Sequence, residues 1–210
     1  MKLALCLFGE PRYVKSEIAY NLYKEFILNE YEVDVYGHTW IADFYQPSSW
    51  SNSPDVVGSK DIPDVIRDQY KGIKLVAETA RSFHENRNRN NFISQIYSIN
   101  EVANLIENPD QYQFILIGRY DLLLSRFESI NDLTEGYYST NRHPIFADQL
   151  VFLSPKYLPA LKLFDSIDQV QIGSGDIISV ERFKLDCFER LFPGDQVSKH
   201  DFMVSIIRNL

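Results

Sequence analysis

Cysteine is scarce in this chain: there are two among 210 residues, Cys6 inside an apolar run and Cys187 in a helix-like segment. They make neither a metal-ligand spacing nor a disulfide framework, so a reducing compartment is the simpler setting. Positive charge is also short. With 21 Lys and Arg against 29 Asp and Glu, the formal charge is −8. That balance argues against general nucleic-acid binding, which needs a surplus of basic side chains to neutralise phosphates. Long apolar runs are missing too, since no stretch approaches the ~18 residues of a membrane span. The apolar start, Met1 to Phe8, is interrupted by Lys2 and closed by Gly9-Glu10-Pro11-Arg12, too short for a secretion signal. A cytoplasmic protein with no membrane span is expected.

The glycine-based nucleotide motifs are absent as well. No GxGxxG follows the first strand and no GxxxxGK[ST] occurs, so neither a dinucleotide dehydrogenase nor a P-loop NTPase fits. A hydrolase elbow GxSxG is lacking; Gly173-Ser174-Gly175 comes near it without the strand-Ser-helix setting. What is present is ordinary globular material, 45% hydrophobic and 24% charged. That is enough for one domain, residues 1–210, with a core of its own.

Leu3 to Phe8 is a continuous apolar run ending at Gly9, the pattern of a strand buried on both faces of a parallel sheet. Val14, Ile18, Leu22 and Phe26 recur at fourfold spacing and predict a helix with one buried stripe. Val33 to Tyr36 reads as a second strand with Gly37-His38-Thr39-Trp40 as its exit loop, so the chain opens β-α-β. Residues 41–64 read as one long loop. Ile73 to Ala77 is a third strand, and Arg81 to Asn91 a polar stretch. Asn91 caps a helix carrying Phe92, Ile96, Ile99, Ala103 and Ile106 that stops at Asn108-Pro109. Phe114 to Ile117 makes a fourth strand that exits through Gly118-Arg119-Tyr120-Asp121.

Beyond it, Tyr137 to Thr140 and Gln149 to Leu153 read as strands. Ser154-Pro155 opens a helix through Phe164, and two more helices are predicted, Ile178 to Phe192 and Ser198 to Leu210. The last has no stop signal, which suggests that the protein continues into further domains.

In an open α/β sheet, ligands gather beyond the carboxyl ends of the strands where strand order reverses. The exits of the first and fourth strands should meet there. Gly9 allows close approach of backbone N–H groups to a ligand, and Arg12 can neutralise a phosphate or fork onto a carboxylate. Asp121 stands between two apolar segments, where a buried charge needs a partner. A divalent cation on a diphosphate would serve, and so would an ion pair with Arg119.

At these residues the chain resembles the small glycosyltransferases of the GT-A type. Those enzymes begin with a strand and nucleotide loop, run through a Rossmann-like half, and place a short acidic motif, often DxD, after the fourth strand. The element order matches over most of the chain. Leu7-Phe8-Gly9-Glu10-Pro11-Arg12, Gly37-His38-Thr39-Trp40, Arg119-Tyr120-Asp121 and Asp148-Gln149 are similar to stretches of viral and bacterial members, including viral ones that build capsid glycans.

The resemblance implies an α/β fold, GT-A-like and Rossmann-like, with a mixed, mostly parallel central sheet flanked by helices on both faces. It implies a hexosyltransferase that moves sugar from a UDP-sugar donor to a hydroxyl of a glycan or glycoprotein, with Mn2+ or Mg2+ on the diphosphate. Gly9, Glu10, Pro11, Arg12, His38, Thr39, Arg119 and Tyr120 would bind the donor. Asp121 matches the last position of DxD, whereas the first is Arg119, which could contact the diphosphate itself. His200 would complete the metal shell. Asp148 is the leading candidate for the base at the acceptor hydroxyl, with Asp176 and Asp201 in reserve. Tyr13, Trp40 or Tyr120 could stack on the uracil ring, and the Arg81 to Arg89 stretch could close over the donor. A sugar-nucleotide-binding module without turnover is the alternative. A nucleotidyltransferase fits less well, because Gly9-Glu10-Pro11-Arg12 is not the Gly-rich, Lys-containing loop those enzymes use.

Overall fold

The computed structural model describes residues 1–45, 56–140, 149–162, 180–200 and 202–206. The first strand, β1 (Lys2–Gly9), runs up the middle of a seven-stranded sheet. It pairs in parallel with β2 (Glu32–Ile41) on one side and β6 (Phe114–Arg119) on the other. Beyond β2 lies β5 (Lys74–Thr79), also parallel. On the far side of β6, β9 (Leu150–Leu153) runs antiparallel, followed by β8 (Tyr137–Thr140) and β10 (Val197–His200). The order is β10-β8-β9-β6-β1-β2-β5, mixed and mostly parallel as expected.

The apolar run of β1 is continuous because both of its faces are covered. Ala4, Cys6 and Phe8 point to the side of helix α3 (Arg87–Asn104), where they meet Ile99, Val102 and Ala103. Leu3, Leu5 and Leu7 point the other way, towards Tyr23 of α1 (Ile18–Tyr23) and Ile66 of α2 (Ile62–Gln69). This period-two division is what a strand between two helical layers requires. Helix α4 (Val180–Leu191) adds Phe183 and Cys187 against Phe92 and Ile96 of α3. No helix among the described residues is long and apolar enough to cross a membrane.

Several local expectations are corrected. The predicted helix from Val14 to Phe26 is three pieces: a 3-10 turn at Val14–Ser16, α1, and a π turn at Lys24–Leu28. The chain breaks at Glu17, left-handed at φ 61, and enters the turn through Tyr13, also left-handed at φ 57, whereas α1 runs into the π turn without interruption. The stretch read as one long loop ends in α2, whose Pro63 occupies the first turn. A two-stranded ribbon, β3 (Phe44–Tyr45) with β4 (Val56–Val57), also lies there.

Helix α3 begins at Arg87, capped by the Asn86 side chain, which accepts from the N–H groups of Asn88 and Arg89. Asn91 therefore lies inside it. The segment opened by Ser154-Pro155 is a 3-10 turn, Pro155–Leu161. The predicted terminal helix is instead β10 and β11 (Phe202–Ile206), the latter antiparallel to β7 (Leu122–Phe127). The spacing of Phe202 and Ile206 suits a helical stripe, but Phe202 and Val204 both join the core as alternate residues of a strand, and pairing with β7 decides between the two.

Candidate functional site

The chain moves outward from β1 to β2 to β5, then returns through α3 to the opposite side of β1 as β6. Strand order reverses between β1 and β6, and their carboxyl ends are in register, with Phe8 beside Arg119. The two exits singled out in the sequence are therefore neighbours, at the place where open α/β sheets bind ligands.

On the β1 side, Gly9 turns the chain at φ +94, with nothing within 4 Å of where a Cβ would stand. Pro11 is buried. The Arg12 Nε donates to Glu10 Oε2 at 2.8 Å, and the Nη2 makes a second bond to the same oxygen. Val14 then enters the core on the side that holds Tyr23 of α1, so the loop folds over that face of the sheet. The left-handed conformations of Tyr13 and Glu17 cost of order 1–3 kcal/mol each and cluster in this connection.

On the β6 side, Arg119 forks onto Asp121, Nε to Oδ1 at 2.7 Å and Nη2 to Oδ2 at 2.8 Å. Asp121 is wholly buried, whereas the Arg119 side chain is 19% exposed at the end of β6. The Arg119 carbonyl accepts from the Tyr23 hydroxyl at 3.0 Å. That phenol lies against the Cα of Gly118, where any side chain would collide with it. The partner that Asp121 needed on burial is thus Arg119. Tyr120 points into the core, 2% exposed, its hydroxyl beside Gly37 and without a hydrogen-bond partner among the described residues. Burial pushes this phenol's pKa well above its usual value.

His38 and Thr39 belong to strand β2 itself, not to a loop beyond it, because β2 continues to Ile41. Both are fully buried. The Thr39 Oγ1 donates to the Gly9 carbonyl at 3.4 Å. The His38 ring lies edge-on to Trp40 and Tyr97, with Nδ1 2.6 Å from Ser98 Oγ and Nε2 unpartnered among the described residues. Burial first, and the Arg81 charge second, hold its pKa down at about 4. Beyond it Trp40 stacks on Tyr97, and the Arg81 guanidinium lies 4.5 Å over the Tyr97 ring. Trp40 is itself 3% exposed.

The metal pair expected from the resemblance does not assemble. His200 is packed in an aromatic cluster, 5.3 Å from the Phe152 ring, with Nε2 3.1 Å from the Glu128 carbonyl. Asp121 precedes β7, whereas Glu128 follows it. Seven residues of extended chain put the two about 23 Å apart, and a shared ion needs each ligand within about 2.5 Å. Among the described residues no three His, Cys, Asp or Glu side chains gather to hold a metal. Asp148, Asp176 and Asp201 lie outside the described residues.

One contributor was missed in the sequence: Ser98, which accepts from the Gly9 N–H at 2.9 Å. The available signal was a small hydroxyl on the core-facing stripe of α3, beside Ile99 and one turn before Val102.

No protein-family model matches the chain, and no curated protein matches it. Among solved structures it is similar to the crystal structure of a glycosyltransferase involved in the glycosylation of the major capsid of PBCV-1. The two share 12% identity over 95% of this chain and 81% of the other, with a TM-score of 0.43.

Proposed function

We propose that the crevice between the ends of β1 and β6 takes the diphosphate of a UDP-sugar, and that the protein transfers the sugar to a hydroxyl of a glycan or glycoprotein. The observation that supports this is the pair of acid-oriented arginines, Arg12 on Glu10 and Arg119 on Asp121, at adjoining strand ends beside an unobstructed Gly9. A guanidinium is a permanent cation whose planar fork suits phosphate oxygens, and an acid beside it fixes where that charge stands at the strand end.

In the transfer, the acceptor oxygen bonds to the anomeric carbon as that carbon's bond to the diphosphate oxygen breaks. The departing UDP gains negative charge, and fixed cations at that point lower the barrier. The acceptor proton passes to a carboxylate, for which Asp148 is the candidate by sequence. Asp121 serves this reading as the brace of Arg119. The divalent metal implied by the resemblance finds no ligand set among the described residues.

The test is UDP release from a panel of UDP-sugars, run beside the thermal shift caused by UDP. We expect UDP to raise the melting temperature, slow release from at least one donor, and at least tenfold less release in Arg12→Met and Arg119→Met. A protein that no uridine nucleotide stabilises would refute the donor site. Stabilisation with no release from any donor supports instead the module without turnover.

A further inference from the structure

The exit of β1 is clamped from two sides. The Gly9 N–H donates to Ser98 Oγ on α3, and the Gly9 carbonyl accepts from Thr39 Oγ1 on β2. The amide expected to meet a ligand is thus committed inside the protein, and what Gly9 offers is its bare Cα side, which faces open space.

Ser98 Oγ carries one proton. As it accepts from Gly9, that proton must find an acceptor, and the one it meets among the described residues is His38 Nδ1 at 2.6 Å. Nδ1 is then the unprotonated nitrogen, and the ring hydrogen sits on Nε2, a buried donor without a partner among the described residues. The hydrogen-bond chain runs one way, from Gly9 N–H to Ser98 O–H to His38 Nδ1. A reversed His38 tautomer would strand two polar groups, the serine proton and the Nε2 lone pair, where this one strands only the Nε2–H.

We propose that Ser98 is a positioning residue of the nucleotide site, holding the Gly9 peptide in one orientation through a His38 locked as its Nε2–H tautomer. The ligand part rests on the nucleotide-sugar reading above. A glycine at positive φ has neighbouring backbone wells open to it, so without the clamp the turn must be ordered by the ligand and affinity falls. Ser98 itself touches no ligand; it acts through Gly9.

The experiment uses the full chain labelled with 15N. At neutral pH the long-range proton–nitrogen correlation of His38 should show the Nε2–H tautomer, and Ser98→Ala should erase that preference. In Ser98→Ala, Gly9 amide exchange should accelerate at least tenfold more than that of Leu5, and calorimetric UDP affinity should fall about tenfold. A second pair keeps the test decisive if Ser98→Ala fails to fold. His38→Asn offers an acceptor near the Nδ1 position and His38→Leu does not, so the first should retain at least threefold more UDP affinity. An Nδ1–H tautomer in the unaltered protein overturns the Ser98 role, as does unchanged Gly9 exchange in Ser98→Ala or equal affinity in the two His38 variants. Failure of the unaltered protein to bind UDP, with the tautomer and exchange results as stated, overturns the nucleotide reading instead and leaves the clamp standing.

Discussion

Acid should weaken this protein through His38 in a way that one substitution isolates. The ring is fully buried, and its pKa is held at about 4 against an ordinary 6.5. In the unfolded chain the imidazole takes up a proton as pH drops through 6.5, whereas the folded protein resists until about 4. The unfolded state therefore binds more protons in that window, and stability falls as pH falls. The gap is worth about 3 kcal/mol in full, about 2 kcal/mol of which should already be lost at about pH 5.

The groups around the ring set this direction. Arg81 supplies like charge, Trp40 and Tyr97 exclude water, Ser98 occupies Nδ1, and Glu78 is engaged by the Tyr97 hydroxyl at 3.2 Å. His38→Asn keeps an acceptor near Nδ1 and cannot titrate. Urea unfolding of both proteins at about pH 7, 5 and 4 separates the effect from carboxylate titration, which the two share. The unaltered protein should lose about 2 kcal/mol more than the variant between the first two conditions. Parallel stability profiles would show that His38 is not kept neutral by its surroundings.

Three further outcomes follow from the site. Asp121→Ala removes the wholly buried partner of Arg119 and should cost about 1–3 kcal/mol of stability, less than for a fully buried pair because Arg119 reaches solvent. Chemical unfolding measures it, and a loss below about 0.5 kcal/mol contradicts the bracing role. A chelator should leave the UDP-induced rise in melting temperature unchanged, since no metal ligand set gathers at Asp121 among the described residues; abolition of the rise would restore the metal. Glu17→Gly should stabilise the protein by about 1 kcal/mol, because Glu17 is exposed and held at φ 61. A destabilised variant would mean that the Glu17 side chain contributes more than its backbone strain costs.

Part of the site was legible in the sequence because the evidence for it is local. Gly9 closes an apolar run, Arg12 follows within the turn, and Arg119 and Asp121 bracket a strand exit, so residue type and order sufficed to single them out. The ion pair between Arg119 and Asp121 was one of two readings of a buried carboxylate, and the bidentate geometry selects it. His38 and Thr39 were located but placed in a loop, because the strand's polar end looks like a turn until β1 and β5 pair with it residue by residue. Tyr120 was legible only as an aromatic near the exit, and its inward direction depends on the space left by Gly37.

The sequence by itself determined the strands β1, β2, β5 and β6 in their order, a helix after β1 and another before β6, and the two-sided burial of β1, but not β3, β4 or α2. These follow from periodicity and composition, which act over a few residues at a time. Only the tertiary structure decided that β6 returns beside β1, that Ser98 reaches across 89 positions to Gly9, and that His200 and Asp121 stand at opposite ends of β7. It also turned the terminal segment from a helix into β10 and β11. Each of those outcomes depends on which distant strand supplies the hydrogen bonds, and local pattern carries no information about that partner.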